Sequence, residues 1–323
     1  MLSRVAESIY WMARYLERAE NTARMVMVNA NLLLDLPKGA QPEWQPLVTI
    51  TGATDQFEAK GRRYEERAVV MFLLGDRDYP GSVINSLRAA RENARTIRDI
   101  MPREAWEQIN ELNIYARDHL DAGLSKRGRH LYLKRLILGV QTITGMFSGT
   151  MTKGQGYQFL VMGRSIERAD MTTRIIDVRS ADLLEDSPDL RPFRTIQWVS
   201  VLKSLTAYQM YRQSRQARVT RSEVLRFLFQ DTDFPRSVFH CVTSVERGAD
   251  RLPRHDGVLR QCGRLKRMLV DSDVGALRQD HLHEFVDSIQ FNLAELHTEI
   301  ARTWFLLAPE AEQTQARAAG ASG

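Results

Sequence analysis

The chain has 323 residues, 43% of them apolar, and a formal net charge of +5. That is enough apolar material for a sizeable core, and no run of about 18 apolar residues is present, which excludes an ordinary membrane span. The positive charge is interleaved with 40 acidic residues, and no basic–aromatic stripe accompanies it, which argues against nucleic acid as a partner.

In chain order, the first predicted element is a long helix over 3–34. Ile9, Met12, Leu16, Ala19, Ala23 and Met27 recur at three- and four-residue steps, with Arg14, Glu17, Arg18 and Asn21 on the other face. Pro37-Lys38-Gly39 stops it. A short, weak helix is expected over 44–57, where Thr49, Thr51, Gly52 and Thr54 lower the propensity, and another over 63–74. In the following loop Asp78 is expected to cap the helix over 83–99, with Pro80 in its first turn. Helices over 103–120 and 130–147 follow. Residues 148–156, rich in Gly, Ser and Thr, read as the linker between two halves. The second half repeats the plan, with helices over 157–184, 195–215, 223–229, 237–251, 258–269 and 274–307. Residues 309–323 read as a disordered tail.

No segment alternates with period two for more than a few residues, so the fold class is all-α. The expected organisation is one domain over 1–308. It comprises two tandem similar halves, about 1–152 and 153–308, forming a helical bundle around a pseudo-two-fold axis. The warrant is a repeated pattern. Met12, Arg14, Glu17, Arg18, Ala19, Thr22 and Arg24 recur 150 positions later as Met162, Arg164, Glu167, Arg168, Ala169, Thr172 and Arg174, with Glu20 matched by Asp170. Trp44 and Ala53 return as Trp198 and Ala207, 154 positions on. Asp76-x-Asp78-Tyr79-Pro80-x-Ser82 returns as Asp231-x-Asp233-Phe234-Pro235-x-Ser237, 155 positions on.

The repeat retains charged groups, not only core volume, and two readings of them stand open. Arg14, Glu17, Arg18 and Asn21 form one helical ridge. Two such ridges can interlock as a structural ion-pair network. Alternatively they enclose a pocket in which Arg14, Arg18, Asn21, Arg24, Arg164, Arg168 and Arg174 bind a peptide-like or anionic small molecule. In that case Glu17 or Glu167 is the candidate general base. Glu20 and Asp170 lie nearer the apolar face and require arginine partners. Arg91 and Arg95, on a basic helix with Arg88 and Arg98, form a further anion-binding or docking candidate. Only seven of the 45 basic residues are Lys, an arginine bias that GC-rich codon usage explains and that also suits bidentate recognition of carboxylate or phosphate.

No cofactor motif is present. The Asp-x-Asp loops are read as caps rather than as metal sites, and the His residues have no strong ligand spacing, so no metal site is assigned. Cys241 and Cys262 are the only cysteines, too few for a disulfide scaffold. Glu7 stands where a secretory apolar region would begin, and a cytoplasmic setting is expected.

The Glu-Arg segments around Glu17-Arg18 and Glu167-Arg168 closely resemble the alpha-E family of bacterial helical proteins. So do Ala90-Arg91-Glu92-Asn93-Ala94-Arg95, the Asp-x-x-x-Pro-x-Ser loops and Trp106-Glu107-x-Ile109-Asn110. The resemblance implies association with a circularly permuted ATP-grasp-type amide ligase and a transglutaminase-like protein. It further implies a part in making or modifying peptide-like amides, either as a helical partner subunit or as a stand-alone enzyme at the paired Glu-Arg helices.

Overall fold

A computed structural model describes residues 1–32, 43–181, 191–215 and 218–305, with no side-chain description at 181 and 191–194. The fold is all-α, and the described residues contain no strand. The elements are α1 (Ser3–Leu32), α2 (Gln45–Ile50), α3 (Thr54–Glu58), α4 (Glu66–Gly75) and α5 (Val83–Thr96), followed by a 3₁₀ turn (Arg98–Ile100). Next come α6 (Arg103–Asp118), α7 (Leu120–Leu124), α8 (Arg129–Thr150), α9 (Gln155–Ala181) and α10 (Arg191–Ser204). The chain continues with α11 (Tyr208–Arg215), α12 (Arg221–Gln230), α13 (Val238–Ala249), α14 (Asp256–Asp271) and α15 (Gln279–Trp304).

Helix α1 packs on α5, α5 on α6, α6 on α8, and α8 back on α1, closing one four-helix ring. Helices α9, α13, α14 and α15 close a second ring in the same order. The rings join along α1 and α9. Contacts advance together along both helices: Met1 to Gln155, Tyr10 to Gly163, Arg14 to Glu167, and Asn29 to Arg179. The two long helices are therefore parallel neighbours, and each ring covers the far side of its own.

This placement explains why the ridge of α1 is not a solvated face. Arg14, Glu17, Glu20, Asn21 and Arg24 are all buried, as are Met12, Leu16, Ala19 and Ala23. The two helices approach closely because Gly163 lies against the backbone of Tyr10, where a Cβ would strike the Tyr10 carbonyl oxygen.

Several boundaries differ from expectation for local reasons. The weak segment over 44–57 is two short helices, α2 and α3, separated where Gly52 adopts φ +68°. The segment over 195–215 is likewise split into α10 and α11, at Thr206 with φ 56°. The linker is shorter than composition indicates. Helix α8 runs through Ser148, Gly149 and Thr150, where the Thr150 hydroxyl donates to the Met146 carbonyl one turn back and so is satisfied within the helix. Asp78 and Asp233 do not cap. The caps are Ser82 and Ser237, whose hydroxyls accept from the backbone N–H groups of Asn85 and His240. Asp78 is exposed and paired with Lys60, while Asp76 is buried between Lys60 and Arg62. The tail over 309–323 lies outside the described residues. Both cysteines are free and buried.

Candidate functional site

The parallel packing of α1 and α9 brings the two Glu-Arg segments face to face, and each glutamate is clamped by the opposite helix. Glu167 accepts from Arg14 Nε at 2.8 Å, from Arg18 Nε at 2.6 Å and from Arg18 Nη2 at 3.0 Å. Glu17 Oε1 lies 2.9 Å from Arg168 Nε and accepts from Arg236 Nη1 at 2.7 Å. Both glutamates are 1% exposed. Burial alone would raise their pKa values, yet the guanidiniums outweigh it. Arg168 and Arg236 bring Glu17 down to about 2, and Arg14 and Arg18 hold Glu167 below its ordinary value. These carboxylates stay charged, Glu167 engaged through both oxygens and Glu17 through Oε1.

One turn further along each helix lies a second acid. Glu20 Oε1 accepts from Arg24 Nη2 at 2.7 Å, Arg236 Nη2 at 3.0 Å and Gln141 Nε2 at 3.1 Å. Asp170 Oδ2 accepts from Arg174 Nε at 2.9 Å. The partners required for acids near the apolar face are thus present. Asn21 Oδ1 accepts from Arg236 Nη1 at 2.7 Å, so Asn21 serves the network. Arg14 also stacks over Trp11, 5.0 Å from the ring centre, and Arg18 over Tyr15 at 5.6 Å.

Arg164 is half-buried and has no ion-pair partner among the described residues. Its pKa is lowered by burial and by the neighbouring Arg168. Arg91 and Arg95 are not brought to this centre. Arg91 donates to Asn110 and Glu92, Arg95 to Glu92, and Arg91 also lies over the Trp106 ring, so both arginines are engaged within α5 and with α6.

Arg236 is the member that motif reading misses. It occupies the unspecified position of Pro-x-Ser, where the first block has Gly81. The signal was present as a difference between the blocks, whereas the motif was read for what they share. Helix α9 holds the Arg236 loop by a second contact, since Thr172 Oγ1 donates to the Arg236 carbonyl at 3.0 Å.

The centre is not sealed everywhere. A cleft of about 260 Å³ opens beside Glu167 and Asp170, bounded by Arg18, Thr22, Gly81 and Arg174. A larger cleft of about 400 Å³, with Met27, Val28, Ile196 and Val199 in its wall, is elsewhere and mainly apolar. Asp177, His283 and Asp287 place ligand atoms within 4.8 Å of one another at the surface, with His283 Nδ1 2.7 Å from Asp177. Asp177 is 106 positions from His283, whereas His283 and Asp287 are one helical turn apart, and exposed groups of this kind are common without a metal.

A family model described as a predicted alpha-helical domain with a conserved ER motif matches residues 1–305. The chain belongs to the Alpha-E family. Its Glu-Arg pairs are Glu17-Arg18 and Glu167-Arg168, the residues that cross-link α1 and α9. An uncharacterized protein of Mycobacterium bovis and two of Mycobacterium tuberculosis are each 22% identical over 315 residues. Each alignment covers 91% of this chain but 34% of the relative, so the chain spans about a third of the length of these proteins. No solved structure matches.

Proposed function

We propose that this Alpha-E protein is a non-catalytic or co-catalytic helical partner subunit of a peptide-amide ligation or peptide-modification system. It would bind an ATP-grasp-type ligase, its peptide-like substrate, or both. The observation that carries this reading is the burial of Glu17 and Glu167 in ion pairs with two arginines each. A general base needs a free lone pair and a pKa near the working pH. Glu167 instead accepts three arginine hydrogen bonds, Glu17 is ion-paired with Arg168 and accepts one hydrogen bond from Arg236, and both are held below the ordinary glutamate value. The Glu-Arg helices therefore act as a clamp that fixes a rigid body, which suits a docking subunit. The length of the mycobacterial relatives supports the same reading, because there a similar region is joined to further chain.

The test is co-expression with an ATP-grasp-type ligase and a transglutaminase-like protein from the same genome. A stable complex, or a change in ligase rate on adding this chain, is expected. Neither complex nor rate change would end the proposal. A stand-alone enzyme remains the second reading, supported by the cleft beside Glu167. Its base would have to be a group other than the clamped glutamates.

A further inference from the structure

We propose that the cleft between α1, α9 and the Tyr79–Gly81 loop binds a small zwitterion of the amino-acid class, its carboxylate on Arg174 and Arg18 and its ammonium on Asp170. The inference does not depend on the partner-subunit reading and is tested on this chain alone.

The first support is a comparison within the molecule. Pro80-Gly81-Ser82 and Pro235-Arg236-Ser237 are matching segments, each leading into a capped helix. On one side the Arg236 side chain fills the space over Glu17 and Glu20. On the other, Gly81 has no side chain, the Tyr79 ring lies where its Cβ would be, and the cleft lies beside them over Glu167 and Asp170. The first acid there, Glu167, is already saturated by Arg14 and Arg18. The second is not, because Asp170 uses Oδ2 for Arg174 while Oδ1 accepts from no described residue. Glu20, the matching acid, holds both its i+4 arginine and Arg236. An acid at this helical position thus accommodates a second cation.

The second support is a set of unused donors. Arg174 donates only from Nε, and its terminal nitrogens meet no acceptor among the described residues. Arg18 spends Nε and Nη2 on Glu167 and leaves Nη1 unused. Thr22, 1% exposed, lines the cleft with an Oγ1 that has no hydrogen-bond partner. A buried hydroxyl without a partner is uncommon and points to a ligand. Planar guanidinium donors of this kind match a carboxylate.

The third support decides between ligands of one charge and of two. The charged lining is balanced, with Arg18 and Arg174 against Glu167 and Asp170. Arg18 is paired with Glu167 and Arg174 with Asp170, and what these pairs leave over is of both kinds, guanidinium donors on Arg174 and Arg18 and the acceptor Oδ1 of Asp170, which a zwitterion engages together. Ile50, Ala53 and Met171 supply an apolar wall for a short side chain, and about 260 Å³ suits an amino acid or a dipeptide.

The experiment is calorimetric titration of the full chain with L-alanine, L-valine, N-acetyl-L-alanine, L-alaninamide, acetate, inorganic phosphate and methylguanidinium. The free amino acids are expected to bind, and blocking either end should weaken binding by about tenfold or more, the loss for one charged hydrogen bond. Asp170→Asn should weaken alanine by a similar factor. Tyr79→Phe combined with Gly81→Arg copies the Phe234-Pro235-Arg236 sequence and, with the ring at 79 displaced by the new Cβ, should close the site. Should that double variant fail to fold, Asp170→Asn still decides. Phosphate or methylguanidinium binding as tightly as alanine, indifference to Asp170→Asn, or no amino-acid binding would each overturn the proposal.

Discussion

Arg236 reaches Glu17 across 219 positions of sequence, donating from Nη1 to Oε1 at 2.7 Å, with both side chains almost wholly buried. This bond ties the loop before α13 to the first long helix. It stabilises only because the same guanidinium also bonds Asn21 and Glu20, leaving few of its donors unpaired.

Arg236→Met should therefore cost about 3–5 kcal/mol of folding stability, the range for breaking a buried ion pair from one side. Arg174→Met removes a pair whose arginine is 34% exposed and should cost about 1 kcal/mol or less. Urea midpoints of the two variants measure the difference, and equal losses would contradict the burial argument.

Glu17→Gln and Glu167→Gln should each lower the melting temperature strongly, because each leaves two arginines facing a neutral amide in a buried setting. Thermal unfolding by circular dichroism reads this directly. A variant that melts like the parent but loses an activity would favour a chemical role for the glutamates.

Acid should weaken the fold in two stages. His297 lies 2.8 Å from Tyr10 Oη, and burial, aided by Arg14, lowers its pKa from 6.5 to about 4. The unfolded chain takes up that proton first, so stability present above about 6.5 is lost as pH falls toward 4. Glu17 follows, with a folded pKa brought from 4.5 to about 2. Its contribution is intact above 4.5 and lost as pH falls through 2. Denaturation midpoints from pH 8 to 2 should show both limbs, and His297→Phe should flatten only the upper one.

Gly163→Ala should destabilise by about 1–3 kcal/mol although alanine is the better helix former. The added methyl would meet the carbonyl oxygen of Tyr10, part of a backbone that cannot yield without separating α1 from α9. Equilibrium unfolding in urea checks the sign. A gain in stability would mean that the helices do not touch there.

Much of the architecture was legible in the chain. Three- and four-residue periodicity gives long helices wherever an apolar stripe is sustained, and α1 and α9 follow it. The repeated charges marked the residues that meet, and the position of Glu20 on the apolar side already required a cationic partner. Capping was misassigned because Asp78 and Ser82 both have capping chemistry. The choice fell to Ser82, as Asp76 Oδ1 accepts the Asp78 N–H and turns the chain before the helix begins.

What the sequence by itself determined is the set of local preferences: which segments are helical, and which charged groups are too costly to bury alone. Only the tertiary structure decided which charges meet. A guanidinium is selected by where its loop is carried, and hydrogen bonding acts over about 3 Å while Arg236 and Glu17 are 219 residues apart. For the same reason the sequence shows Gly81 and Arg236 as one variable position, whereas packing makes Arg236 a plug over Glu17 and Glu20 and sets Gly81 against the Tyr79 ring at the edge of a cleft.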